Sequence, residues 1–265
     1  MAVHSLLGKK MNLIFDSHAH YDDEAFDGDR AELLAGLESR GVGLVVNASA
    51  NIADLDAIIA LTKEYDFLYG TSGVHPSELE GLTDKDFGRI ELALDEPKIV
   101  AVGEIGLDYH YPDTNKPLQK EWFVRQIDLA RRKGYPIIVH SRDAAADTLD
   151  IIRSGGWNEG VIHCFSYEKE MAGIYMDMGF YIGVGGVVTY KNGRKLKEVV
   201  EYMPLEKMLL ETDCPYLSPE PFRGRRNDSS MLNYVADKVA EIKGIDRETV
   251  IEVTRENAKR MYRIN

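Results

Sequence analysis

Two histidines separated by one residue are the first feature of this sequence that could do chemistry. His18 and His20 follow the apolar run 13–15. Residues two apart in an extended chain point to the same side, so both imidazoles can bind one metal ion. A pair of this kind is a weak signal by itself, and the alternative is two ordinary polar residues in a loop.

Other candidate ligands follow further apolar runs. Glu104 lies within a Val-Gly-Glu-Ile-Gly segment, where a carboxylate is costly unless it is paired or bound to a metal. Its two oxygens allow it to bridge two ions, and the alternative is a buried salt bridge. His140 and His163 each close a β-rich run. Either one alone is more typical of a core histidine, but together they offer nitrogen ligands for a second metal.

Asp213 follows the last of these runs and is predicted either to bind a metal or to orient and deprotonate water. Glu211, two residues earlier, is expected to hydrogen-bond to a metal ligand and orient it rather than to bind the metal itself. Cys164 and Cys214 directly follow His163 and Asp213. Because each is offset by one residue from a candidate ligand, we interpret both as plain buried thiols rather than nucleophiles.

Imidazole and carboxylate ligands together suit zinc, manganese or iron, and suit magnesium less naturally. Two such ions about 3.5–4 Å apart can clamp the attacking and leaving oxygens of a phosphoryl displacement, and a metal lowers the pKa of its water to roughly 7. The predicted cofactors are therefore two divalent metal ions, with Zn, Mn and Mg as the candidates.

Candidate substrate contacts are fewer. Arginine forks suit phosphate oxygens, and loops after the last strands of a barrel often hold phosphate. An aromatic side chain can stack on a base. Each arginine could equally be a solvated surface charge, and His75 could equally have a structural role. The candidates are His75, Tyr109, Arg142, Arg225 and Arg226, with Arg223 beside the last two.

Eight short apolar runs alternate with amphipathic helical stretches, which predicts a parallel α/β sheet. Eight strand–helix units close a TIM barrel, whose strand ends share one mouth and would bring the candidate residues together. The alternative is an open doubly wound sheet, although no Gly-rich phosphate loop follows the first strand. The predicted strands are 13–15, 44–47, 68–71, 99–102, 137–139, 160–162, 180–183 and 208–210, and a final helix starts from Asp246 as N-cap and ends near Tyr262.

Composition narrows the class of protein. The 265 residues, 44% hydrophobic and 29% charged, are typical of one large globular domain. A net charge of −12 argues against a broad basic surface that grips duplex nucleic acid. No apolar stretch reaches the roughly 18–20 residues of a membrane span, and no secretory signal is apparent. Two cysteines exclude a disulfide framework, so a cytoplasmic protein is expected.

The first ten residues differ in pattern from the rest of the chain. We interpret residues 1–10 as an extension or expression remnant, with Met11 as the natural start and residues 11–265 as one TIM-barrel hydrolase domain. His4 accordingly receives no role.

Taken together, these motifs resemble the TatD family of metal-dependent deoxyribonucleases. The resemblance covers nearly everything from Leu13 to the end, and the motifs are specific as a set. In chain order they are Asp16-Ser17-His18-Ala19-His20, Gly73-Val74-His75-Pro76, Gly103-Glu104-Ile105-Gly106-Leu107-Asp108-Tyr109, His140-Ser141-Arg142-Asp143-Ala144, His163-Cys164-Phe165-Ser166 and Glu211-Thr212-Asp213-Cys214-Pro215-Tyr216-Leu217-Ser218-Pro219.

The resemblance implies a TIM barrel that binds divalent metals and hydrolyses DNA phosphodiesters, often from a 3′ end. It assigns His18, His20, Glu104 and Asp213 to one metal, and Glu104, His140 and His163 to the other. It matches His75 to an active-site histidine that touches substrate. One departure is visible: the family commonly reads Arg-Asn-Glu-Pro after the last strand, where this chain reads Arg226-Asn227-Asp228-Ser229.

The resulting prediction is a cytoplasmic, monomeric, metal-dependent DNA phosphodiesterase that acts on 3′ ends or single strands, with Asp213, Glu104 and His75 as its catalytic residues. The alternative enzyme is an amidohydrolase that cleaves C–N bonds of a small molecule. Many such barrels bridge their metals with a carboxylated lysine, whereas this chain offers Glu104. A third hypothesis is a degenerate barrel that only binds a partner, but no candidate ligand is lost.

Overall fold

The computed structural model describes residues 13–265, in which eight parallel strands pair in chain order. This is the predicted TIM barrel, in one domain. The predicted extension 1–10 and start at Met11 lie outside the described residues. The strands are β1 Ile14–Ala19, β2 Val42–Asn47, β3 Leu68–Ser72, β4 Ile99–Asp108, β5 Ile137–Arg142, β6 Gly160–Ile162, β7 Tyr181–Val184 and β8 Met208–Leu210.

Helices follow the strands and cover the outside of the barrel. Across residues 13–265, no helix is both long enough and apolar enough to cross a membrane. The α-helices are α1 Arg30–Ala35, α2 Leu55–Glu64, α3 Asp84–Ala93, α4 Lys116–Lys133, α5 Ala145–Gly155, α6 Lys169–Met178, α7 Arg194–Tyr202, α8 Leu232–Lys243 and α9 Arg247–Tyr262.

The seam between β8 and β1 is closed by the chain segment after β8. Ser17 Oγ donates to the Leu210 carbonyl at 2.9 Å. Beyond the end of β8, the Asp213 N–H donates to the His18 carbonyl at 2.9 Å, and the His20 N–H donates to the Cys214 carbonyl at 2.9 Å. Because these bonds hold the two segments side by side, Asp213 is placed next to both histidines of the HxH pair.

The last helix, α9, covers the end of the barrel at which the strands begin. Asp246 caps α9 by accepting a hydrogen bond from the Thr249 N–H at 2.8 Å, which confirms the predicted start, and the helix ends at the predicted Tyr262. Tyr262 donates its hydroxyl to the Ser17 carbonyl at 2.7 Å. The end of α9 packs on a buried cluster that includes Phe15, Val46, Ala101, Ile138, Val161 and Leu209, one residue from each of six strands.

All eight predicted strands are present, but β1, β4 and β5 each continue at least three residues beyond their predicted ends. Glu104 therefore lies within β4 rather than after its apolar run, and His18 and His140 likewise lie within β1 and β5, so the predicted ends of these three strands were wrong. The β4–β5 register shifts between Val102 and Ile105. A similar shift occurs in β1 between Asp16 and Ala19. Such irregularities re-aim side chains next to active sites, and each shift spans a candidate ligand.

Close packing of β4 against β5 depends on Gly106. Its φ is +147°, which side chains rarely tolerate, and a Cβ there would lie 1.9 Å from the His140 carbonyl oxygen. We expect Gly106→Ala to destabilise the protein by about 3 kcal/mol or more through backbone strain and overpacking. Urea unfolding measures this change.

The matched control is Gly88→Ala within α3, where a new Cβ meets no atom within 4 Å. We expect this variant to gain up to about 1 kcal/mol, because alanine favours helix over glycine. Equal stability of the two variants would contradict the packing argument at Gly106.

Candidate metal centre

One group of candidate ligands gathers around Oε2 of Glu104. His18 Nε2 lies 3.3 Å from this oxygen, 3.1 Å from His20 Nε2 and 3.7 Å from Asp213 Oδ1. His20 Nε2 lies 3.8 Å from the same Glu104 oxygen and 3.3 Å from Asp213 Oδ1. The two histidines of the HxH pair therefore direct their nitrogens to one point, together with two carboxylates.

A second group gathers around the other oxygen of Glu104. Oε1 lies 2.8 Å from His140 Nδ1, 3.1 Å from His163 Nε2 and 3.7 Å from His75 Nε2. The His18 and His163 rings stack with centroids 3.8 Å apart, which connects the two groups. Glu104 is thus shared, with one oxygen directed to each set of imidazoles.

These distances fit metal coordination. Four ligand atoms about 2.0–2.1 Å from a tetrahedral zinc ion lie about 3.3 Å from one another, close to the separations in the first group. The donors also suit a divalent ion, because imidazole nitrogens and carboxylate oxygens together are the usual ligands of zinc and manganese. The first group is His18, His20, Glu104 and Asp213, and the second is Glu104, His140, His163 and His75.

The outer nitrogens of three histidines face protein acceptors. His20 Nδ1 lies 3.0 Å from the Ala48 carbonyl. His140 Nε2 lies 3.4 Å from Asp108 Oδ2, and His163 Nδ1 lies 3.4 Å from Glu211 Oε1. The His20 contact is a hydrogen bond of the kind that orients metal-binding histidines, whereas His140 Nε2 and His163 Nδ1 lie beside their carboxylates without a hydrogen bond to them. Glu211 therefore lies beside a candidate ligand, as the sequence suggested, but without the expected hydrogen bond to it.

Electrostatics in the cluster keep its carboxylates ionised. Burial favours the neutral acid, but the imidazoles of His163 and His18 hold the pKa of Glu104 well below its usual range. Burial likewise opposes ionisation of Asp213, yet the hydrogen bond from His20 leaves its pKa lowered. Burial and the nearby His140 lower the pKa of His75 to about 3, so its ring is neutral at pH 7. Although burial opposes it, Asp213 and Glu104 raise the pKa of His20 to about 9, and Glu104 and Glu211 raise that of His163 well above its usual value. A metal ion that binds these imidazoles would therefore displace their protons.

Asp16 connects β1 to the segments that follow β8 through hydrogen bonds. Its carboxylate accepts hydrogen bonds from Thr212 N–H at 3.0 Å, Thr212 Oγ1 at 2.6 Å and Ser229 Oγ at 2.6 Å. Asn227 donates to the Thr212 and Tyr216 carbonyls at 3.1 and 2.7 Å. Two residues of the Arg226-Asn227-Asp228-Ser229 stretch that departs from the family motif thus support the chain around Asp213 from behind.

The candidate ligands open into a cavity of about 820 Å³ at the carboxyl ends of the strands. One wall is acidic and consists of Asp22, Asp23, Glu24, Asp27 and Asp54. Burial and the neighbouring carboxylates of Asp22 and Glu78 raise the pKa of Asp54, which reflects the density of negative charge. Among the described residues that line this cavity, Arg142 is the single lysine or arginine.

Only some of the predicted substrate contacts lie at the cavity. His75 and Arg142 line the cavity, and Tyr109, Arg225 and Arg226 do not. The Tyr109 hydroxyl donates to Asp147 Oδ2 at 2.7 Å on the outer side of the strands. Arg226 binds both carboxylate oxygens of Asp29, at 2.8 and 2.6 Å. Arg225 lies 6.0 Å from the Phe222 ring centroid.

Sequence reasoning gave no role to two tyrosines at the cavity mouth. Tyr111 and Tyr216 both line the cavity and are 58% and 55% exposed. Tyr216 donates its hydroxyl to Asp23 Oδ2 at 2.7 Å, which fixes its ring beside the acidic wall. Tyr216 lies in the sequence motif around Asp213, so its position beside a ligand was the available signal. Nothing in the spacing distinguishes Tyr111 from Tyr109.

Comparison with known proteins gives consistent matches. The family model for TatD related DNase matches residues 15–263. The chain is 41% identical over 255 residues to the metal-dependent hydrolase YabD of Bacillus subtilis, covering 96% of this chain and 100% of YabD. It is 37% identical to the metal-dependent hydrolase YcfH of Escherichia coli, covering 95% and 96% of the two chains.

Solved structures agree with the sequence matches. The TatD homologue YjjV of Escherichia coli superposes with a TM-score of 0.92 at 29% identity, covering 96% of this chain and 99% of YjjV. A TatD-family hydrolase from Entamoeba histolytica superposes with a TM-score of 0.85 at 25% identity, covering 94% and 98%.

The barrel and the paired imidazole–carboxylate groups define a metal-dependent hydrolase. With the family model matched over nearly all of the described chain, the protein belongs to the TatD-related DNase family.

The shared position of Glu104 predicts that one substitution affects both metal sites. We expect Glu104→Gln to lower the affinity for both ions by more than about 100-fold, because first-shell losses exceed the 10–100-fold of supporting residues. Metal content after EDTA treatment, reloading with Zn²⁺ and desalting measures the effect. Glu24→Gln on the acidic wall is the control and should retain the wild-type stoichiometry. Full occupancy of both sites in Glu104→Gln would refute the bridge.

Proposed function

We propose that the protein hydrolyses DNA phosphodiester bonds at 3′ ends or in single strands, with a metal-activated water as nucleophile. The observation that carries this proposal is the division of Glu104 between two ligand groups, with its oxygens 3.3 Å from His18 and 2.8 Å from His140. Paired divalent ions at such groups neutralise phosphate charge and lower the pKa of water to about 7. Membership of the TatD-related DNase family supports the choice of DNA.

The chain's own residues have separable roles in this proposal. Glu104 and Asp213 are anionic, and they set the spacing and charge of the site. Asp213 is also 19% exposed in its side chain and lines the cavity, so it can take a proton from the attacking water. His75 is neutral at pH 7 and directs Nε2 to within 3.7 Å of Glu104, which suits a hydrogen bond to a phosphate oxygen.

The acidic wall supports action at an end rather than along continuous duplex. A strand that crossed the whole cavity would carry its phosphates over Asp22, Asp23, Glu24, Asp27 and Asp54. Like charges repel, and among the described residues that line the cavity only Arg142 is a lysine or arginine that could compensate. A terminus can enter from the Arg142 side and place only one or two phosphates near the metals.

The exposed tyrosines support a single-stranded substrate. Aromatic rings at a binding groove stack on unpaired bases regardless of sequence. Tyr111 and Tyr216 stand at the mouth, and the Arg142 guanidinium lies 6.0 Å from the Tyr111 ring centroid. A base on Tyr111 would thus lie beside the cation that receives its phosphate.

The amidohydrolase alternative has less support. Among the described residues that line the cavity there is no lysine that could be carboxylated to bridge two metals. Glu104 occupies the bridging position instead. Two free cysteines agree with the reducing cytoplasm as the location of the protein. We also propose that the protein is a monomer, because one barrel contains the complete ligand set.

The proposal predicts metal-dependent degradation of end-labelled DNA. We expect EDTA-stripped protein to be inactive and Mg²⁺, Mn²⁺ or Zn²⁺ to restore a ladder from the 3′ end, faster on single than on double strands. His18→Ala should lose at least about 100-fold of the activity, because it removes a ligand from the first group.

The control is Tyr202→Ala, a side chain 56% exposed on α7 that does not line the cavity, which should keep wild-type activity. Cleavage that survives in His18→Ala would contradict the metal mechanism. Absence of cleavage with every metal would favour the amidohydrolase, to be tested on a panel of cyclic amides.

Arg142 gives a test of phosphate binding. We expect Arg142→Ala to raise KM for single-stranded DNA about tenfold with little change in kcat, since a charge-assisted hydrogen bond to phosphate contributes about 1.5–3 kcal/mol. Steady-state kinetics measure both constants, with Arg131→Ala on the outer face of α4 as the control. An unchanged KM would exclude Arg142 from the phosphate contact.

A further inference from the structure

A second cavity adjoins the candidate metal centre and has no role in the function proposed above. It measures about 480 Å³ and lies at the carboxyl ends of β6, β7 and β8. Asp213 lines both cavities, so they meet at a candidate metal ligand. Cys164, which follows the candidate ligand His163, lines the second cavity as well. The space therefore begins where a scissile bond would lie.

The walls of this cavity are apolar. Phe165, Val187, Leu196 and Leu217 line it. An apolar space of 300–1,000 Å³ with a few polar groups is typical of a ligand site. The main cavity, with its acidic wall, has the opposite character.

Polar residues line the rest of the cavity, and the two cations among the described ones are paired, Lys195 with Glu168 at 2.7 Å and Arg194 with Glu198 at 3.1 Å. On the floor, Glu211 is buried and directs Oε1 to the Cys164 N–H at 2.5 Å. Its Oε2 has no hydrogen-bond partner among the described residues. At the rim, Arg194 and Lys195 begin helix α7, and the Arg194 side chain is 85% exposed. A flat, uncharged group that is followed by a phosphate matches an apolar wall beside the candidate metal centre.

We propose that the second cavity binds the nucleobase and sugar of the terminal nucleotide, while the phosphate that joins it to the strand lies at the metal centre. This inference rests on the proposed DNA hydrolysis. The base contacts the apolar walls formed by Phe165, Val187 and Leu196. The rest of the strand leaves over Tyr111 and Arg142, away from the acidic wall.

The test compares two single-stranded oligonucleotides that differ only in their last 3′ residue, which is a normal nucleotide or an abasic tetrahydrofuran analogue. With wild-type protein we expect kcat/KM for removal of the last residue to fall at least about tenfold when the base is absent, in line with the contribution of one stacked base. No substitution in the protein is needed for this comparison.

Filling the cavity should remove the difference. We expect Val187→Phe to lower kcat/KM about tenfold for the normal terminus and to leave the abasic terminus unchanged. Val124→Phe is the matched control, because it makes the same change at a side chain 51% exposed on α4. Asn192→Phe at an exposed position that lines the cavity repeats the test if Val187→Phe does not fold. Metal content is measured for every variant.

The outcomes separate the two proposals. If wild-type protein cleaves neither oligonucleotide with any metal, the proposed DNA hydrolysis fails. If it cleaves both at equal rates, hydrolysis stands and the base-binding cavity is refuted. If the base matters but metal-loaded Val187→Phe and Asn192→Phe behave like Val124→Phe, the base is bound elsewhere and the assignment of this cavity is also refuted.

Discussion

The shared carboxylate of Glu104 is the interaction on which the rest of the site depends. Its two oxygens face different groups of imidazoles, 3.3 Å from His18 on one side and 2.8 Å from His140 on the other. A carboxylate that is 3% exposed would be expensive to keep ionised without these neighbours. Conversely, without its negative charge, five histidines would crowd together with little to compensate them.

The barrel positions this carboxylate through irregularities in otherwise regular strands. The register shift in β4 spans Glu104, and the shift in β1 spans His18. The seam between β8 and β1 then brings Asp213 beside the histidines, and Asp16 ties the seam together from below with hydrogen bonds to Thr212 and Ser229. Fold and site are therefore coupled, since the bonds that close the barrel are those that place a candidate ligand.

Much of this arrangement could be predicted from sequence, because the pattern is repeated. Alternating apolar runs and helices predicted eight strands and a barrel, and polar residues after those runs predicted a common mouth. Strand length could not be predicted in the same way. The polar and glycine residues around Glu104 and Gly106 interrupt the apolar signal, although pairing with β5 continues to Asp108.

Residues beyond the ligands were harder to place. Arg226 stands in a basic cluster that suggests phosphate binding, yet it binds Asp29, which is distant in sequence. Tyr109 and Tyr111 are of the same residue type two positions apart, and only the turn after β4 decides that Tyr111 reaches the cavity. Four of the five acidic-wall residues lie in the run 22–27, so this wall has a local sequence signature to which the sequence analysis gave no role. The apolar second cavity is assembled from the segments after β6, β7 and β8, so it has no such signature.

The most direct test of this account is the anomalous diffraction of crystals loaded with Mn²⁺ or Zn²⁺, measured at the absorption edge of the metal. The account predicts two peaks about 3.5–4 Å apart, one on each side of the Glu104 carboxylate. A single peak, or two peaks that do not both contact Glu104, would contradict the shared bridge and with it the proposed chemistry.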